Sequence, residues 1–275
     1  MGRMKELLIE QYQESKEEWI RDWLGLEPDD TGDEHSSEWI EAELEFEAHQ
    51  DYLADKAAYE YEIELEQQQE IEWLKANPHV DIFKSYSRSL EEITKIDNGS
   101  NNRQLILMQV AYTVTIMESC LSEMLKSLVI SSSDYMRNAL CNIDELKERN
   151  FSLLSAYDLE SKLPIEKIVL DCLSEMLYHN LPKVMKVYAA ILNNRYPKDI
   201  DLSALMKLAS LRHDIVHRDG KKKDGTRIII TSDDVIKYID MVRTFLSIMN
   251  VYITSAVKIE QDKRIANAAA KIETF

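Results

Sequence analysis

The stretch Asn102-Arg103-Gln104-Leu105-Ile106-Leu107-Met108-Gln109-Val110-Ala111-Tyr112-Thr113-Val114-Thr115-Ile116-Met117-Glu118-Ser119-Cys120-Leu121-Ser122-Glu123-Met124-Leu125 decides the fold class. Its apolar residues Leu105, Met108, Ala111, Tyr112, Val114, Ile116, Cys120, Leu121, Met124 and Leu125 cover much of a helix circumference rather than one stripe. A helix that is apolar on most sides belongs inside a protein, surrounded by other elements. A core helix over 102–130 is therefore expected, with further helices packed round it. Composition agrees. Only 6 Gly and 5 Pro occur in 275 residues, while Glu, Leu, Ile, Met and Ala are plentiful, a mixture that favours helices.

Working downstream, Ser133 or Asp134 can cap the next helix, to about Arg149. Pro164 and Pro182 each open a helix, running to about His179 and Leu192, because a proline in the first turn forfeits no helical hydrogen bond. Asp199 or Asp201 can cap a helix ending near Val216. The sequence Asp219-Gly220-Lys221-Lys222-Lys223-Asp224-Gly225 is a turn-rich, exposed loop, and residues 226–231 read as a short extended segment. Thr231 with Asp234 resembles a capping box and starts a last helix over roughly 232–257, extending to about 270. Val235, Ile239, Val242, Phe245, Leu246 and Met249 form its inner face.

Upstream, a helix over 81–96 ends in the Asp97-Asn98-Gly99-Ser100 turn. Residues 4–24 form a short helix stopped near Gly25, followed by a loop from Glu27 to Asp33. From Ser37 to Lys75 neither Gly nor Pro occurs. Within this run Tyr59-Glu60-Tyr61-Glu62-Ile63-Glu64-Leu65-Glu66 alternates as a strand would. Its Glu content and unbroken length favour one long helix or a helical pair, ended at Asn77-Pro78. The fold class is thus all-α: a helical bundle with a short extended segment near 226–231, preceded by an acidic helical N-terminal region.

Charge divides the chain at the same place. Residues 1–80 carry 24 acids and 6 bases, a net charge of −18, whereas residues 81–275 carry 26 acids and 27 bases, a net of +1. Two regions are expected, 1–80 and 81–275. The second tolerates a polyanion near a local basic patch, and the first repels one. Cys120, Cys141 and Cys172 lie in apolar helical patterns and read as buried free thiols, which fits a reducing cytoplasm. The N-terminus lacks a signal-peptide core, and the apolar runs fall short of a membrane span. The expectation is a cytoplasmic protein with no membrane association and no cofactor.

The chemistry concentrates in Arg212-His213-Asp214-Ile215-Val216-His217-Arg218. Arg212 supplies a permanent cation that matches phosphate geometry. His217 supplies a side chain that moves protons near neutral pH. Arg212, His213, His217, Arg218, Lys221, Lys222 and Lys223 place seven basic or potentially basic groups within twelve residues, a cluster that can track a phosphate backbone. Residues five apart on a helix differ by about 140° in direction. Convergence of Arg212 and His217 therefore needs either a frayed last turn or a second copy of the helix across a two-fold axis. The plainer alternative makes Arg212 and Asp214 surface charges and His217 a partner of the helix C-terminal dipole. His213 and His217 share a face at a zinc-compatible spacing, but no third ligand is evident and no metal is expected.

The run Leu211-Arg212-His213-Asp214-Ile215-Val216-His217-Arg218-Asp219-Gly220 resembles the signature of HEPN domains. The helix order fits as well: a long apolar helix containing Glu118, shorter helices, the motif helix and a closing helix. The resemblance covers about residues 81–260 and leaves out the acidic first 80. It implies an all-α module that works as a metal-independent RNA endonuclease, a homodimer whose motif helices meet so that two Arg/His pairs build one cleft. The RNA 2′-hydroxyl attacks its neighbouring phosphate, leaving a 2′,3′-cyclic phosphate and a 5′-hydroxyl. His217 is the implied general acid or base, Arg212 the phosphate stabiliser and His213 the polar residue that orients one of them or contacts RNA. The basic cluster itself adds Arg218, Lys221, Lys222 and Lys223 as expected nucleic-acid contacts. Toxins and anti-phage proteins are common among such relatives. Some relatives carry Tyr directly after the His, where this chain has Arg218.

The acidic region admits three readings: a packed helical face anchored by Trp19, Trp23, Trp39 and Trp73, a polyanion mimic covering the basic cleft, or a docking surface for a regulatory protein partner. Two further functions stay open beside the nuclease. One is a helical module that binds nucleic acid or nucleotide without cleaving, and the other a protein-interaction module working through residues 1–80. No Walker glycine loop, Gly-x-Ser-x-Gly or dinucleotide fingerprint occurs, so nucleotide hydrolysis and acyl transfer are poorly supported.

Overall fold

A computed structural model describes residues 2–27, 32–96, 102–148, 165–197 and 200–273. Among them run α1 (Gly2–Leu24), α2 (Ser37–Ala76), α3 (His79–Thr94), α4 (Arg103–Ile130), α5 (Ser133–Asn142), α6 (Asp144–Lys147), α7 (Ile165–Ser174), α8 (Leu181–Leu192), α9 (Leu202–Arg218) and α10 (Ser232–Glu273). The chain is all-α. Two compact units are distinguished, residues 1–68 and 69–275. The division falls inside α2, ahead of the charge step at residue 80, because Ile71 and Leu74 are buried in the core of the second unit.

In the first unit α1 and the start of α2 form a helical hairpin. Ile20, Trp39 and Ala42 are its buried centre, with Trp19, Leu24 and Leu26 packed against it. Trp19 lies 5.6 Å from the Phe46 ring and stacks on His49 at 6.3 Å. Trp23 and Trp73 are exposed, so they are not the packing anchors expected of them. The alternating Tyr59–Glu66 segment is helical and lies within one continuous α2. Among the described residues no partner strand rewards the alternation, and helix propensity prevails.

In the second unit α4 is the axis, with α3, α10, α9, α5 and α7 packed on it. Its length and apolar composition would suffice for a membrane span, contrary to the expectation that no run qualifies, but more than half of the relevant window is buried inside the fold. Packing by neighbouring helices accounts for that composition. Met108 and Tyr112, expected in the core, are exposed, whereas Gln109, Thr113, Lys126 and Ser127 are buried. Each of these residues makes a hydrogen bond or ion pair, though the Gln109 Oε1 stays enclosed without a partner among the described residues. Gln109 donates to the Ile93 carbonyl at 3.3 Å and Thr113 to the Gln109 carbonyl at 2.7 Å. Ser127 donates to the Asn77 carbonyl at 2.8 Å, and Lys126 meets Glu70 at 2.7 Å.

Capping explains most element ends. The N-cap of α5 is Ser132, whose side chain accepts from the Asp134 amide, rather than Ser133 or Asp134. That helix ends at Asn142, and after a break at Ile143 the short α6 follows, not one helix to Arg149. The helix expected to reach His179 stops at Ser174. Asp201 caps α9 through the Ala204 amide at 3.1 Å. Thr231 and Asp234 exchange reciprocal bonds at the start of α10, with the Thr231 amide 3.0 Å from the Asp234 carboxylate and the Asp234 amide 3.2 Å from the Thr231 hydroxyl. The predicted inner face of α10 is buried throughout. The turn at 97–100, Arg149, Pro164 and Asp199 lie outside the described residues. Of the three cysteines, Cys141 is exposed, which corrects the expectation that all are buried.

Candidate active site

The motif occupies the C-terminal half of α9, held in place by its own terminus. The helix continues past the expected end at Val216 to Arg218, and Asp219 closes it in the left-handed region at φ 53°. Gly220 follows at φ +65°, and its amide donates to the Asp214 carbonyl at 3.2 Å. Arg103, at the start of α4, donates to the carbonyls of Asp219 at 3.3 Å and Gly220 at 3.1 Å. This ties the end of the motif helix to the core helix. A Cβ on Gly220 would stand 2.7 Å from the Arg103 guanidinium and 2.8 Å from the Leu107 side chain. Gly220→Ala is therefore expected to cost about 1–2 kcal/mol through left-handed backbone strain. That lowers the melting midpoint by several degrees, since about 2–4 °C accompanies each kcal/mol at this chain size. Thermal unfolding followed by circular dichroism measures it, and Gly225→Ala, at φ +82° but with nothing within 4 Å of its added Cβ, shares the backbone strain and so isolates the extra cost of crowding against Arg103 and Leu107.

The predicted residues differ in exposure and in the charges that face them. His213 and His217 are both exposed, and their rings lie 4.6 Å apart on one face of α9. Because α9 is regular through Arg218, the angular separation of about 140° between Arg212 and His217 persists. The last turn does not fray to bring them together. Arg218 is ion-paired with Asp214, four residues earlier, so its charge is largely met within the helix. Lys221 lies 3.8 Å from the Asp219 carboxylate. Lys222 and Lys223 stand exposed in a tight loop whose Gly225 amide donates to the Lys222 carbonyl at 3.0 Å. The expected extended segment is reduced to one antiparallel bridge, Lys221 with Arg227. Two bonds make that bridge, the Ile228 amide donating to the Gly220 carbonyl at 2.9 Å and the Lys222 amide to the Thr226 carbonyl at 2.9 Å, and among the described residues no further rung follows.

Two residues outside the motif belong to the site. Arg212 is half-buried, and its Nε is enclosed without a hydrogen-bond partner among the described residues. Oε1 of Glu118, on α4, is enclosed and unpartnered in the same way. Burial raises the Glu118 carboxyl above its ordinary range, while the nearby charges of Arg212 and His179 pull it down less strongly. His179 lies exposed in the connection between α7 and α8. Sequence spacing brings neither Arg212 nor His179 to Glu118. Glu118 was visible only as a charge inside an apolar helix, and His179 carried no signal.

The sign of the Glu118 shift makes a stability prediction. A carboxyl whose folded pKa is raised contributes stability below its unfolded pKa and loses it as pH rises through the folded value. Glu118→Gln is therefore expected to melt higher than the parent at pH 8, with the gap closing toward pH 4. The same change removes the carboxylate charge nearest Arg212, and a guanidinium displaced by about 1 Å as a result is expected to cost about a hundredfold in any reaction there. Melting curves at the two pH values, beside a cleavage assay, check both halves.

Among the described residues no group of three or more His, Cys, Asp or Glu is arranged to hold a metal ion. The arrangement offers an aligned cation, an exposed imidazole pair and a lysine-bearing loop. The model of the family described as RiboL-PSP-HEPN matches residues 78–255. No curated protein and no solved structure matches the chain.

Proposed function

Because the chain belongs to the HEPN domain family and has both Arg212 and His217 in place of the motif, we propose that it is a metal-independent endoribonuclease. RNA is the substrate, and the 2′-hydroxyl attacks the adjacent phosphate. His217 moves the proton as general acid or base, and Arg212 steadies the charge growing on the phosphate oxygens. His213, 4.6 Å from His217 ring to ring, orients its neighbour or meets the RNA. Lys222 and Lys223 attract the backbone, with smaller contributions from Arg218 and Lys221, whose charges already face Asp214 and Asp219.

The observation that carries the reading is the Arg212–His217 pair on an unbroken helical turn, with the Arg212 Nε enclosed beside Glu118. Two directions so far apart on one helix serve one phosphate when a second α9 completes the cleft, so a homodimer through the motif helix is part of the proposal. A toxin or anti-phage setting in the cytoplasm suits such an enzyme. Incubation of labelled structured and unstructured RNAs with the protein in EDTA tests it. Products ending in 2′,3′-cyclic phosphate support the reading. Intact RNA from both the full chain and residues 69–275, the second unit with Ile71 and Leu74 retained, would sink it. Retention without cleavage would point to a binding module.

A further inference from the structure

The second half of α2 presents a surface that the catalytic reading does not use. Residues 51–66 contain six acids and one base, Lys56, which lies 3.9 Å from Glu60. Every residue of the segment is exposed except Ile63, which is half-buried. Within the hairpin, α1 covers the side of α2 that carries Ala42, Phe46 and His49. Successive helical residues turn by about 100°, so Tyr52 and Tyr59, seven apart, point together roughly 100° away from that covered side. They are 62% and 64% exposed. Asp55, Glu62 and Glu66 flank them on the same helix surface.

Exposed tyrosines aligned at i and i+7 supply rigid contact area of the kind enriched at interface centres. The flanking carboxylates say what meets them. A second copy of this face would set carboxylates against carboxylates, and the single lysine is already engaged with Glu60. Like-charge juxtaposition disfavours both self-pairing and nucleic acid. We propose that the Tyr52–Tyr59 face docks a basic amphipathic helical segment of an unlike protein. Its apolar residues pack on the two rings, and its Lys or Arg side chains meet Asp55, Glu62 and Glu66. This surface is independent of the ribonuclease reading and stands or falls without it.

The probe is a fluorescein-labelled Leu/Lys amphipathic helical peptide, titrated with the full chain and read by anisotropy. Oligolysine of equal charge and a Leu/Glu helix are the comparisons. The Leu/Lys helix is expected to bind at least about tenfold more tightly than oligolysine, and Tyr52→Ala/Tyr59→Ala to lose about tenfold, the equivalent of a single interface anchor. Alanine suits an exposed helix position, and an unchanged far-UV spectrum confirms that α2 persists. Equal binding of oligolysine or the Leu/Glu helix overturns the proposal, as does a double variant that binds like the parent. Self-association in sedimentation that the double variant abolishes would make the face a self-interface and overturn it too.

Discussion

Replacing Arg212 with alanine is expected to lower RNA cleavage by about 10²- to 10³-fold, the loss that follows removal of one donor to a developing oxyanion. The guanidinium is half-buried, and its Nε is enclosed beside Glu118, so a lysine at this position would not restore the planar fork. His217→Ala is expected to cost about 10²- to 10⁴-fold, the usual contribution of a positioned acid or base. On the proposed mechanism both residues serve one step, so the two losses should not add. His217 is exposed, and its removal leaves the core untouched. An unchanged melting curve therefore separates lost chemistry from lost fold. Cleavage is read from end-labelled RNA in EDTA, with cyclic phosphate ends identified by their resistance to phosphatase until acid opens the ring. Full activity in either variant would remove the residue from the mechanism.

Tyr188→Ala is expected to be the most damaging single change to stability. Tyr188 sits on α8, fully buried, and its hydroxyl donates to the Leu121 carbonyl of α4 at 2.6 Å. Burial pushes its phenol well above the ordinary range, so the group is neutral and serves as a donor. Truncating a large buried aromatic costs about 3–5 kcal/mol through lost transfer energy and the cavity left behind. That corresponds to a fall in melting midpoint on the order of 10 °C. Tyr188→Phe removes only the hydrogen bond and should cost about 1 kcal/mol. Chemical denaturation of the three proteins measures the difference. Equal midpoints for the alanine and phenylalanine variants would show that α8 repacks around the gap.

Much of this architecture is local in origin and therefore legible in the chain. The apolar circumference of residues 102–130 marked the core helix, Asp201 and the Thr231/Asp234 pair marked helix starts, and the spacing of Val235 to Met249 marked the inner face of α10. Where expectation failed, a neighbour decided. Met108 and Tyr112 repeat the apolar pattern of α4 but lie exposed, with no helix among the described residues covering them. Residues 226–231 had the composition of a strand but only one bridging partner. Arg218 belonged to the basic cluster by count, yet Asp214 one turn earlier takes its charge.

The candidate site divides along the same line. Arg212, His213 and His217 lie within six residues, and their directions follow from helix geometry alone. The sequence therefore determined the all-α class, the motif and the angular separation of its two chemical groups. Tertiary structure alone brought Arg212 of α9 and His179 of the α7–α8 connection toward Glu118 of α4, tied Gly220 to Arg103, and placed the unit boundary inside α2. Backbone propensity and capping act over a few residues, whereas electrostatic neighbours and burial depend on which helices share a face. That is settled by packing across dozens of intervening positions, which no local pattern records.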